Sequence, residues 1–336
     1  MKGRVRDAGA GLLGACGQSG VTLIELMISM TIGLFVVMAA TVLLMSTKSG
    51  YLMQDDEAQI QASGRFAIET VSRAVRQSAY FPWSGMSNAQ LSTDLIGGMI
   101  AGLDARSLKS STQGIDLPVR KSVNGSDVLA VRFFGSGAGG AADGSMINCA
   151  GFGVAGAVDA LADDSRGWSI FYVVEDATGE PELYCKYQGA SGWSSQAIVR
   201  GVESFQVLYG LDTDADGLPN QFMTASAIDA LDGTLVLEGV DAAARARDRG
   251  RKTNWKKVVA VRIAMLIHGA HLAGVERMSA EHDLFGKDYA NAFADSDKGV
   301  RIRDAEMPTL QRGRVRRIFA TTIHLRQPPP LAEGSR

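Results

Sequence analysis

The chain has 336 residues, 46% of them apolar and 21% charged, which is ordinary for a folded protein and long enough to bury a sizeable core. Its net charge of −2 excludes the bulk basic surface of a nucleic-acid binder. With 39 Gly and 8 Pro the composition suits a turn-rich β body, and Cys16, Cys149 and Cys185 have no Cys/His spacing of the zinc kind.

Residues 1–20 carry Lys2, Arg4 and Arg6 against one acid, Asp7. Residues 21–45 then read VTLIELMISMTIGLFVVMAATVLLM, with Glu25 as their single charge. A helix of that length covers roughly 37 Å, enough for a hydrocarbon layer of ~30 Å. Cations precede the span and Asp55, Asp56 and Glu57 follow it. The positive-inside rule therefore puts the N-terminus in the cytoplasm and the bulk of the chain outside.

A secretory signal has its apolar stretch before the cut. Here Gly20 precedes the apolar stretch, so the order is inverted. A lipoprotein-like box, Leu13-Gly14-Ala15-Cys16, lies upstream. Its apolar region is short and Gly-rich, and a complete span follows it, so Cys16 is read as a leader residue. Gly20-Val21-Thr22-Leu23-Ile24-Glu25-Leu26 resembles the type IV prepilin signature, with Val21 in place of the commoner Phe. The resemblance implies cleavage after Gly20 by a prepilin peptidase, methylation of the new Val21 amine, and a docking role for Glu25. A carboxylate inside a span is costly without a partner. The amine of an incoming subunit supplies one, each charge offsetting the other's desolvation.

The helix is expected to continue to about Tyr80. Ile60, Ala67, Val71, Ala74 and Val75 recur at helical spacing, while Arg65, Glu69 and Arg73 form an i, i+4 ladder on the other face. Phe81-Pro82-Trp83 is expected to end it. Beyond it, alternation predicts strands at Asp127–Phe134, Trp168–Glu175, Glu182–Tyr187, Val202–Tyr209, Val258–Ile267 and Arg314–Leu325. Asp176 to Pro181 reads as a hairpin turn, and Asp241–Arg251 as a short exposed helix. Residues 84–126, 135–166 and 211–254 read as long loops.

A long helix followed by an antiparallel sheet is the type IV pilin architecture, an α+β fold. Ser126–Arg132, Val202–Gly210 and Arg314–Ile323 look like the minor pilin family PilW, and pseudopilins of type II secretion carry similar segments. The implied organisation is a cleaved leader at 1–20, a membrane-spanning half-helix at 21–45, an amphipathic half at 46–80 and a β-rich periplasmic domain at 81–336. The implied function is structural: an inner-membrane prepilin assembled into a type IV pilus near its tip. Its partners are then the membrane, other minor and major pilins and a tip adhesin, with no nucleic acid. A type II secretion pseudopilin and a membrane-anchored ligand-binding protein are the alternatives.

Cys149 and Cys185 would face an oxidising compartment, and a bridge between them is expected to add ~3–4 kcal/mol by loop-entropy arithmetic. Asp212-Thr213-Asp214-Ala215-Asp216-Gly217 has the D-x-D-x-D-G core of a calcium loop. Met223 stands where a bidentate Glu is usual, Asn220 could add an oxygen, and Asp229 or Asp232 could fold back. Gly135-Ser136-Gly137-Ala138-Gly139-Gly140 satisfies G-x-G-x-x-G, but no helix N-terminus follows to cradle a phosphate. His268 and His271 suggest no metal spacing, no catalytic constellation is evident, and Arg312, Arg314, Arg316 and Arg317 read as strand-edge surface.

Overall fold

The computed structural model of the chain describes residues 20–80, 97–137, 140–156, 166–272, 280–308 and 312–325. It opens on helix α1, Leu23–Gln77, and forms two compact units that meet between Leu52 and Met53.

In the first unit residues 21–45 are exposed on every side, Val21, Leu34 and Met45 by about 70% each. A helix apolar all round has no solvated face and is one that lipid or neighbouring chains cover. Its polar side chains turn inward on the helix. Ser29 donates to the Glu25 carbonyl, Thr31 to Ile28, Thr41 to Met38 and Thr47 to Leu43. No hydroxyl of that set needs water, which a lipid-facing helix requires.

In the second unit α1 becomes one-sided. Ile60, Ala67, Val71, Ala74 and Val75 are buried, whereas Arg65, Glu69 and Arg73 are exposed. The 3.6-residue period thus places both expected stripes where the sequence put them. The helix ends at Gln77, with the Ser78 hydroxyl donating to the Val75 carbonyl. Phe81-Pro82-Trp83, the expected terminator, lies outside the described residues.

Two antiparallel sheets follow. The first, in order β1-β2-β3-β4-β5, uses Ile100–Leu103, Val128–Phe133, Gly167–Glu175, Pro181–Gly189 and Gly192–Arg200. The second is built around β6, Val202–Leu211, with β7 at Gln221–Met223, β8 at Val258–Leu272 and β11 at Arg314–His324, in order β11-β8-β6-β7. A small β9–β10 pair, Glu281–Asp283 with Arg301–Arg303, stands apart. Helices α2 (Ala225–Gly233), α3 (Ala242–Lys252) and α4 (Lys287–Phe293) are the other α-helices among the described residues.

The central strands are buried on both faces, and their two-residue period sorts them between different clusters. Val207, Tyr209, Ile263 and Met265 join the helix residues Ile60, Val71 and Val75 in the main core, together with Leu129, Phe171 and Leu183 of the first sheet. Their neighbours Leu208, Ala264 and Leu266 pack instead against Leu284, Phe285, Val300 and Ile302. On the outer face of the first sheet Val128, Ala130, Ile170 and Tyr172 pack under Leu108. The outer face of the first sheet is therefore covered by the irregular stretch 104–122, and that of the second by the 280–308 segment with β9, α4 and β10.

All six predicted strands are present. The turn at 176–181 joins β3 to β4, its Asp176 Oδ1 accepting from Thr178 N, Thr178 Oγ1 and Glu180 N. The Thr178 hydroxyl and those backbone donors hold the Asp176 carboxyl down to about 2, against desolvation. Helix α3 matches the expected exposed helix, and Asp241 caps it through Ala244 N. The rest of 211–254 corrects the expected loop. Strand β7 lies there, and α2 starts at Thr224, whose hydroxyl accepts from Ala227 N. Strands of three residues, such as β7, β9 and β10, are too short for a period to show. Strand β5 is an exposed edge with a register shift opposite Leu183/Tyr184, so its alternation is blurred.

Within the second unit α1 passes close to β11 at Gly64, where a Cβ would overlap the ring of Phe319. Gly64→Ala should cost about 1–3 kcal/mol in denaturant unfolding of the full chain in micelles, with most of it recovered by adding Phe319→Leu. Unchanged stability of the single variant would mean that α1 does not lie on β11 in this way.

Candidate functional site

The N-terminal site is local. Thr22 N donates to Glu25 Oε2 at 2.9 Å, the Thr22 hydroxyl donates to the same oxygen at 2.8 Å, and Glu25 N donates to Thr22 Oγ1 at 3.4 Å. This is a capping box, in which side chains three residues apart satisfy each other's helix-end donors. It places the one carboxylate of the apolar half at the helix start, beside Val21. Gly20 and Val21 are both exposed. Residues 1–19 of the expected leader, with Cys16, lie outside the described residues.

Cys149 and Cys185 are joined by a disulfide with their Cα atoms 5.8 Å apart. Both belong to the main core, where Cys149 N also donates to Ser169 Oγ at 2.9 Å. The bridge ties the irregular 140–156 stretch to β4. Part of the Gly-rich run is described: Ser136 bridges to Ala155, and residues 138–139 lie outside.

Ligand oxygens of Asp212, Asp214 and Asp216 lie within 4.8 Å of one another. The loop holds this shape through its own backbone. Asp212 accepts from Ala215 N at 2.6 Å and Gly217 N at 2.8 Å, and Asp216 accepts from Leu218 N. Burial raises the Asp212 carboxyl, but the Gly217 and Ala215 amides outweigh it and the net shift is downward. Asn220 is turned otherwise than expected. Its amide oxygen accepts from Thr213 N and Oγ1, and its Nδ2 donates to Asp214. Asp229 and Asp232 do not fold back. Asp229 accepts from Trp255 Nε1, while Asp232 accepts from Asn254 N and the Thr253 hydroxyl.

Arg314, Arg316, His268 and His282 are internal joints, which corrects the expectation of strand-edge surface for those two arginines, whereas Arg317 stays half exposed on the edge strand β11. Arg316 has a 1% exposed side chain and grips Glu203 through Nε at 2.5 Å and Nη2 at 2.9 Å. Its Nη1 lies 3.3 Å from Asp304, which also meets His282 at 3.0 Å. Arg314 pairs with Glu180 beside the buried His268, Arg317 with Glu57 of α1, and Arg312 donates to the Met307 carbonyl. Sequence reading missed these because Glu203 and Arg316 are separated by 113 positions. A register shift between Arg314 and Arg316 also breaks the alternation that would have marked Arg316 as inward.

Asp56 was read only as a charge following the span. It is 1% exposed, with Oδ1 2.8 Å from His271 Nδ1 and Oδ2 accepting from His271 N at 2.8 Å. Gly269 makes room, since a Cβ there would crowd the carboxylate. A polar joint, buried at Asp56 and half exposed at His271, thus fastens α1 to the end of β8.

Residues 170–327 match the family of Type IV Pilus-assembly protein W, from within β3 to just past β11. Residues 16–41 match the Prokaryotic N-terminal methylation motif. No curated protein and no solved structure matches the chain.

Burial raises the Asp56 carboxyl, but hydrogen bonds from the His271 ring and backbone and from Ala270 N lower it further, for a net downward shift. Its stabilisation is then full above the ordinary carboxyl range near ~4 and is lost as pH falls through the lower native value. Asp56→Asn should cost about 1–3 kcal/mol at pH 7, with the gap from wild type closing below about pH 3. A gap of constant size from pH 7 to pH 3 would show that the carboxylate charge is not what stabilises.

Proposed function

The chain is a type IV pilus-related pilin that carries a PilW-family segment behind an N-terminal methylation motif, and on that basis we propose that it is a minor pilin. In this reading prepilin peptidase cuts after Gly20 and the Val21 amine is methylated. The inner membrane holds residues 21–45 until the subunit enters a fibre, where it sits near the tip with other minor pilins and a tip adhesin. The chain is a substrate of its processing enzyme and a structural part of its assembly.

The observation that carries this is the exposed apolar half of α1 with one carboxylate at its start. Such a surface is stable in lipid and also among like helices, so the same segment serves as anchor and as fibre core. Cutting at Gly20 leaves a cationic amine directly before Thr22, the residue that holds Glu25. In a bundle of staggered subunits the Glu25 carboxylate of one chain then meets the Val21 amine of the next. A stagger that misses this pair strands two charges in an apolar medium, which penalises wrong registers. Glu25→Val should therefore insert and be cut normally yet fall at least tenfold in sheared fibres. Undiminished incorporation would remove Glu25 from docking.

The acidic loop is assigned weak calcium binding. Three carboxylates forced together repel, and a hard cation at 2.3–2.6 Å from oxygen relieves them. Asp212, Asp214 and Asp216 would hold it, with solvent or a reoriented Asn220 completing the set. Without a bidentate acid the affinity falls near 10⁻⁴–10⁻³ M. At a hundredfold excess calcium would add about 2.7 kcal/mol to the stability of the fold. Millimolar calcium should raise the melting temperature of the wild-type chain in micelles and leave Asp214→Ala unmoved. Equal melting with calcium and with chelator in both proteins would reduce the loop to an acidic turn.

A further inference from the structure

A cleft of about 460 Å³ is lined from four stretches, 104–106, 120–125, the start of α2 at 224–226, and 296–298, with Arg106, Arg120, Lys121 and Lys298 among the lining residues. The fold brings these cations together from distant positions. Ser107 and Val119 exchange both backbone hydrogen bonds, at 3.0 and 2.7 Å, which sets Arg106 and Arg120 side by side. Gly125 has a left-handed φ of +73°, and a Cβ on it would strike the Lys298 carbonyl carbon at 2.8 Å. That close approach draws Lys298 onto the same rim.

One carboxylate shares the lining, and it is committed elsewhere. Asp104 Oδ1 accepts from Ala225 N at 2.9 Å and Oδ2 from Ser226 N at 2.7 Å, satisfying the first donors of α2. Among the described residues none of the four cations forms an ion pair. The remaining lining is largely hydroxyl: Ser122, Thr224, Ser226 and Ser296. Four cations without ion pairs share the exposed rim with one committed acid. Asp127, which accepts from Ala105 N, and Asp297 lie buried near Asp104, so the excess of positive charge is confined to the rim.

We propose that this cleft docks a carboxylate-bearing segment of a neighbouring pilin subunit. The inference rests on the pilus reading above for the existence of that neighbour. The arrangement favours a peptide over a small ion. Arg120, Lys121 and Lys298 are exposed and spread around an open cleft instead of converging on one point. Several carboxylates spaced along a segment match such an array, with the arginine forks taking them pairwise. It also favours a peptide over nucleic acid. No aromatic side chain lines the cleft to stack a base, and four cations neutralise only a short stretch of phosphate. Each exposed pair contributes little alone, so the contact depends on their number and weakens with salt.

The test uses the full chain in micelles and a fluorescent probe peptide, the acidic sequence Gly210–Leu218 of this chain with its three aspartates. A second peptide carries Asn at those three positions. The probe should bind, weaken at least tenfold between 50 and 500 mM salt, and lose at least tenfold on Arg120→Gln/Lys121→Gln, while the Asn peptide stays unbound. Both substituted residues are exposed, so an unchanged melting temperature confirms that the variant is folded. Three results would overturn the proposal: no probe binding at low salt, complete displacement of the probe by inorganic phosphate at a concentration equal to the probe's, or tighter binding of a short DNA duplex lost in the same variant. Fibre assembly is read separately. Probe binding by a chain absent from sheared pili would leave the cleft standing and remove the pilus reading instead.

Discussion

A lone carboxylate at the start of a helix that is apolar on all sides sets the conditions for the rest of the molecule. Leu23 to Met45 offers no polar face to water, so it must lie in lipid or against other chains. In the monomer Thr22 satisfies Glu25, and the serine and threonine hydroxyls along the helix satisfy themselves on carbonyls three or four residues back. The segment therefore presents an almost uniform apolar cylinder with one charged mark. In the proposed fibre such uniformity would permit sliding among like helices, and the charged mark would supply a reason to stop.

The same helix changes character past Met53, where small residues and one buried acid take over. Gly64, Ala67 and Ala74 let the sheet come close, and Asp56 fastens the helix by way of His271. Strands β6 and β8 then form the centre, buried on both faces, and one end of their sheet, at the start of β6 and β11 and the end of β8, is pinned by charge. Arg316 with Glu203 and Asp304 joins β11, β6 and the 280–308 segment in one buried group. Groups of this kind cost desolvation and add more to uniqueness of packing than to net stability, because a misregistered β11 would bury Arg316 unpaired. The Cys149–Cys185 bridge does comparable work for the first sheet.

How much of this the sequence carried follows from how far apart the cooperating residues lie. Alternation over six or more residues located β2, β3, β4, β6, β8 and β11, and the helical stripe from Ile60 to Val75 was readable because every partner position lies on one helix. The Gly20–Leu26 heptapeptide was legible for the same reason. Asp56 with His271 and Glu203 with Arg316 were not, since each pair joins positions more than a hundred residues apart through tertiary register. Nor was the basic cleft. Its four cations come from three segments and reach one rim through the Ser107–Val119 bridge and the close pass of Gly125 by Lys298. Asp212, Asp214 and Asp216 cluster as their spacing implied, whereas the supporting oxygens expected of Asn220, Asp229 and Asp232 were already engaged locally.

The account depends on the helix acquiring a free amine next to Thr22, because without it Glu25 has hydrogen bonds from Thr22 but no counter-charge in an apolar bundle. The most direct measurement is intact-mass and peptide mass spectrometry of the N-terminus of the chain recovered from membranes. The account predicts a mature chain that begins at Val21 and is heavier by one methyl group on its amine. A peptide that runs unbroken from Ser19 through Thr22 in the bulk of the recovered protein would contradict it.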